Sequence, residues 1–165
     1  MLKHRLSWTA TAREQIELER NSFINLFKGS LTDVSTGILI LRLLLGVVFF
    51  AHGAQKVFGW FGGYGLDATV DSFAKMGIPA VLAYVASFTE FLGGLSMITG
   101  FLTRIFAVGL TINMIVAMTL VHLKNGFFGP NGIEFTLTLA VVALTIFLLG
   151  PGVYSLDNQF FKEKK

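Results

Sequence analysis

The feature that most constrains this chain is an apolar run from Gly37 to Phe58 that carries Arg42, His52 and Lys56. Its 22 residues make a helix of about 33 Å, enough to cross the hydrocarbon core of a bilayer. A charge at that depth costs ~2.5–3.5 kcal/mol on insertion scales, so such groups pair with one another or serve a site. The composition also points to a membrane protein. Hydrophobic residues make up 53% and charged residues 14%, where a soluble domain has about 25% charged, and mean hydropathy is +0.68. The absence of cysteine excludes disulfides, thiol catalysis and thiolate-held iron–sulfur clusters.

Residues 1–36 are polar and mixed in charge and do not open like a secretory signal. They are expected to form a cytoplasmic leader. Within it, Ala12, Ile16, Phe23 and Phe27 share one face of a helix predicted over Thr11–Phe27. An interfacial amphipathic helix and a partly disordered tail are both open readings of this stretch. The expected fold is all-α, a polytopic membrane four-helix bundle with spans at about 37–58, 79–101, 104–123 and 132–150. Between the first two spans, W-F-G-G-Y-G and the stretch to Gly77 predict a short interfacial or re-entrant helix capped by Asp67 and ended by Gly77 and Pro79. The domain of four spans covers 37–157, and 158–165 is a basic tail. Four spans put both ends on one side. The two tails and the Thr103-Arg104 turn hold nine of the thirteen Lys and Arg residues, which makes that side cytoplasmic.

Depth along the spans, at about 1.5 Å per residue, sorts the polar groups into two layers. Arg42 falls roughly 8 Å in from the cytoplasmic side and Glu90 about 16 Å in from the other, with Asn113 at a similar level. Arg42 and Glu90 are within bridging reach, as a structural ion pair or a proton relay. Nearer the outside lie His52, Lys56, His122 and Glu134. His52 and Lys56, four apart, share a face, and Gly53 beside them would let a ligand approach the backbone. Such a patch suits a quinone carbonyl or an anion. A Lys56 reaching to the interface and a His52 satisfied by a neighbouring helix account for the same residues without a ligand. A bis-His haem on His52 and His122 and a His/His/Glu metal site with Glu134 both lack the expected ligand spacing, so no metal is expected. No phosphate loop, nucleophile–base pair or nucleic-acid pattern is present.

Taken in order, Arg42 with L-L-L-G, A-H-G-A-Q-K at 51–56, E-F-L-G-G at 90–94, G-F-L-T-R at 100–104, His122, Glu134 and G-P-G-V-Y-S-L-D at 150–157 resemble the DoxX family of small four-span membrane proteins. The resemblance implies a bundle in a bacterial-type inner membrane. The family takes its name from a subunit associated with a thiosulfate:quinone oxidoreductase, also described with terminal quinol oxidase. Implied partners are the lipid bilayer and redox-complex subunits or further copies of the chain. With no cysteine and no cofactor ligand set in the sequence, no intrinsic cofactor is expected, and any redox chemistry would need a bound quinone or a partner's cofactor. Three functions follow as expectations: a subunit of a quinone-linked oxidoreductase, a non-enzymatic assembly scaffold, and a small transporter.

Overall fold

The computed structural model describes residues 15–20 and 34–161, which fall into two units divided at Val34. In the first unit, α1 (residues 15–20) is an exposed helical segment in which Arg20 pairs with Glu17 at 3.2 Å. The rest of the leader helix expected over Thr11–Phe27, and the last four residues of the basic tail, lie outside the described residues.

The second unit is a helical bundle. Its elements are α2 (Val34–Phe58), a 3-10 turn (Trp60–Gly62), α3 (Gly65–Lys75), α4 (Ala80–Thr99), α5 (Thr103–Ala117), α6 (Glu134–Leu149) and α7 (Leu156–Phe160). Beyond Ala117, α5 continues through a π-helical turn, Met118–His122, and a 3-10 turn, Leu123–Asn125. Among the described residues, three helices are long and apolar enough to cross a membrane: Val34–Phe58, Ala80–Thr99 and the continuous Thr103–Asn125. α6 is equally apolar but has 16 residues, about 24 Å. The short helix between the first two spans is present as α3. Asp67 is not its cap, because the helix starts two residues earlier at Gly65; Asp67 instead lies in the first turn, where its charge complements the helix dipole. Gly77, at φ +76°, turns the chain out of α3, and Pro79 then leads into α4.

Leu45, Phe49, Met97, Ala107, Leu110, Ala143 and Ile146, drawn from α2, α4, α5 and α6, form a common core. The opposite faces carry Leu44, Val47, Val81, Ile105 and Leu148, all more than half exposed. A bundle that is apolar outside as well as inside fits a lipid surround.

α2 and α4 touch backbone to backbone. A Cβ at Gly53 would overlap Phe91 and lie 2.8 Å from the Glu90 carbonyl carbon. A Cβ at Gly94 would overlap Phe50, and one at Gly46 would come within 2.7 Å of Ile98. The matched levels 46 with 98 and 53 with 91 make the pair antiparallel and set its register. Small residues allow this approach, which supplies the dispersion contact that holds helices together in lipid. Replacing Gly94 by Leu is therefore expected to cost about 1–3 kcal/mol or prevent assembly, read as a lower unfolding temperature in detergent. Gly37→Ala, with nothing within 4 Å of the added Cβ, is expected to leave that temperature unchanged.

Candidate functional site

The α2–α4 register brings Lys56, in the last turn of α2, level with Glu90 on α4. Glu90 is 2% exposed. Lys56 Nζ donates to Glu90 Oε1 at 2.5 Å and to Oε2 at 2.6 Å. From α5, Asn113 Nδ2 donates to Oε1 at 2.9 Å. Three helices thus each supply one polar group to a single point, and the carboxylate has both oxygens engaged. That meets the requirement that a buried charge be paired and hydrogen-bonded.

A cavity of about 320 Å³ ends on this cluster. It lies between α4 and α5, with Phe73 of α3 and Ile78 at one end. Leu82, Val85, Ile112 and Val116 in its lining are exposed, so it opens on the apolar outer face of the bundle. The π-helical turn contributes Leu120 and Val121. An apolar slot with a few convergent polar groups is the usual form of a small-molecule site.

Arg42 does not reach Glu90. With Gly53 opposite Glu90 and Phe91, Arg42 stands about 17 Å away along the helix axis, and it is level with the end of α4. There Nε donates to the Met97 carbonyl at 2.7 Å, and the two terminal nitrogens donate to the carbonyls of Pro151 at 2.5 Å and Ile98 at 3.4 Å. A buried cation thus caps carbonyls that α4 leaves unpaired at its C-terminus. Gly100, at φ +72°, makes the turn, and a Cβ there would come within 2.8 Å of the guanidinium. Asp157 completes the node. Its Oδ1 and Oδ2 accept from the N–H groups of Leu102 at 2.7 Å and Thr103 at 2.8 Å, capping α5 and holding Leu102 in the left-handed region. The Asp157 N–H donates to the Gly100 carbonyl at 2.8 Å.

The outer polar layer also separates. Four residues of helix rotate His52 by about 40° from Lys56, and its exposed ring lies 6.5 Å from that of Phe135 on α6. Gly53 is closed to a ligand, since α4 backbone fills the space beside it. His122 Nδ1 is 2.9 Å from the Asn131 carbonyl. Glu134 Oε1 accepts from the Gly129 N–H at 3.1 Å. Both therefore organise their own loop, outside the Glu90 cavity. Among the described residues, no three His, Cys, Asp or Glu side chains gather to hold a metal.

The sequence reading placed Asn113 at Glu90's depth without a role, gave Asp157 only as the last residue of the 150–157 motif, and did not single out Phe73 as a site residue. An Asp closing a Gly-Pro-Gly turn is a recognisable capping signal. Phe73 carried none beyond its place on the short helix expected between the first two spans.

The DoxX family model matches residues 37–123. The chain is 34% identical to "Putative oxidoreductase CatD" of Bacillus subtilis over 78% of this chain and 90% of the relative. It is 32% identical to "Inner membrane protein YqjF" of Escherichia coli, covering 77% and 94% of the two chains. An uncharacterized membrane protein of Mycobacterium tuberculosis is 33% identical, covering 76% of this chain and 82% of its own. No solved structure matches.

Two stability measurements check the two polar nodes. Lys56→Met strands a buried carboxylate and is expected to cost about 1–3 kcal/mol, less than the ~3–5 kcal/mol of a fully buried pair, because the Lys56 side chain is 31% exposed. The double variant Lys56→Met with Glu90→Gln should recover part of that loss, read as a thermal cycle in detergent. Arg42→Lys keeps the charge but loses the fork to three carbonyls, and should lower stability by about 1.5–3 kcal/mol without emptying the distant cavity of any ligand it holds.

Proposed function

The chain belongs to the DoxX family, and from that premise we propose that it is a membrane subunit of, or accessory to, a quinone-linked oxidoreductase. The single observation that carries this reading is the apolar cavity between α4 and α5 that ends on Lys56, Glu90 and Asn113. A quinone headgroup is a flat apolar ring bearing carbonyl oxygens, and when bound it supplies two-electron, two-proton carrier chemistry. The residues present suit such a group. The volume lies at the low end of the ~300–1,000 Å³ range for small-molecule sites. Lys56 Nζ and Asn113 Nδ2 are donors to a carbonyl oxygen, and Glu90 is a carboxylate able to hold a proton beside it. Arg42, tied to carbonyls at the other node, takes no part in this proton chemistry. The opening toward lipid suits a ligand that travels in the bilayer.

The word "oxidoreductase" in the name of the Bacillus relative supports the redox class, and "inner membrane" in that of the Escherichia relative supports the location. Electrons would come from a partner's cofactor, since the chain has no cysteine and its His residues lack the spacing of a haem ligand pair. In this reading α6 serves as a fourth crossing, and the Lys and Arg distribution puts both tails in the cytoplasm.

One observation favours a scaffold instead: Lys56 and Glu90 already satisfy one another, as a pair with only a packing role would. Extraction of the protein purified in mild detergent separates the two. On the quinone reading, wild type and His52→Ala carry near-stoichiometric quinone by absorbance and mass, and Asn113→Leu carries at least tenfold less. A scaffold yields no quinone in any of the three, with a partner protein co-purifying.

A further inference from the structure

A second cavity, of about 280 Å³, adjoins the first. It lies between the end of α2, the glycine-rich turn and α3, and is lined by Gln55, Tyr64, Thr69 and Ser72 together with Lys56 and Phe73. Lys56 and Phe73 line both cavities. The characters of the two spaces differ. The first is walled by aliphatic side chains and opens on the apolar face. The second carries hydroxyl, amide and phenol groups, and Tyr64 and Ser72 in its wall are exposed. Its frame is built rather than incidental. Gln55 Nε2 donates to the Phe61 carbonyl at 3.2 Å, and Phe61 sits in the left-handed region. A Cβ at Gly63 would overlap the Gln55 backbone. Thr69 Oγ1 donates to the Gly65 carbonyl at 2.8 Å and contacts the Lys56 carbonyl at 3.4 Å, which ties α3 to the end of α2.

We infer that this polar vestibule is the aqueous port of the Glu90 site, with Phe73 as the barrier between the two cavities and Lys56 as the side chain that passes through the wall. The exposures fit this division: the Lys56 side chain is 31% exposed, whereas that of Glu90 is 3% exposed. Water in the vestibule reaches the ammonium but not the carboxylate. Lys56 is thus the side chain that links water in the vestibule to the Glu90 carboxylate, with no water admitted to the apolar cavity. This inference extends the proposed site but does not depend on which ligand fills it.

Single cysteines introduced into the cysteine-free chain test the port in sealed membrane vesicles with a charged, membrane-impermeant thiosulfonate. Variants are compared only if they elute from detergent as wild type does. Ser72→Cys should react readily and Asn113→Cys at least tenfold more slowly. Adding Phe73→Ala to Asn113→Cys should raise its rate at least tenfold. Lys56→Cys, made with Glu90→Gln so that no charge is stranded, should react within tenfold of Ser72→Cys. The inference is overturned if Asn113→Cys reacts as fast as Ser72→Cys with Phe73 intact. It is equally overturned if Phe73→Ala leaves Asn113→Cys protected, or if the Lys56 position resists a reagent that reaches position 72. The labelling needs no ligand, so a protein that carries no quinone but shows the expected pattern keeps the port and loses the quinone reading.

Discussion

The direct backbone contact between α2 and α4 governs both polar nodes. In lipid, helices gain little from burying apolar surface against one another, so close packing and internal hydrogen bonds must hold them. Gly46, Gly53 and Gly94 remove the side chains that would keep the axes apart. Once the backbones touch, the register has little freedom, and each charged residue meets what lies level with it. Lys56 meets Glu90; Arg42 meets the open end of α4. A slip of one helical turn would strand both a cation and a carboxylate in the interior, so the electrostatics penalise the alternatives that packing alone leaves close in energy.

The two nodes differ in what they leave over. At the Arg42 end, the guanidinium serves backbone carbonyls and Asp157 serves backbone N–H groups, so the charges are spent on closing helix ends. This end reads as architecture. At the Lys56 end, side chain meets side chain, a cavity runs up to the cluster, and the π-helical turn alters the winding of α5 along the same wall. Irregular winding inside a helix is often found at functional positions. The buried polar residues therefore divide by what they bond, with backbone groups served at the Arg42 end and side chains meeting one another beside a cavity at the Lys56 end.

Much of this was legible in the sequence. Hydropathy and turn residues gave the helices to within a few residues, and the motifs that resemble DoxX proteins include Arg42, Lys56, Glu90 and the 150–157 segment, which the fold gathers at its two polar nodes. What failed was pairing. Depths were counted from span ends, which placed Arg42 a turn from Glu90 and Lys56 out at the surface. The actual offset depends on where two helices touch, and a glycine advertises close approach without naming its partner. Gly53 shows this plainly: its missing side chain looked like room for a ligand and is room for α4. His52 failed for a related reason, since sharing a face with Lys56 says nothing about which neighbour lies beside each turn. The short helix between the spans was foreseen, but its role beside Lys56 appears only when α3 is folded back against α4.

The clamp on Arg42 also bears on how the chain is made. Its Pro151 acceptor lies 109 residues further on, and its α4 acceptors 55 and 56 residues further on. When the first span leaves the ribosome, the guanidinium has none of these partners. It enters the membrane as an unsatisfied charge, and a long side chain near a helix end meets that by reaching to the headgroups. Its carbonyls arrive with α4, and the last of them only after α6 has been synthesised. The clamp on Arg42 is thus complete only once the segment after α6 is present, so one early side chain depends on the last part of the bundle.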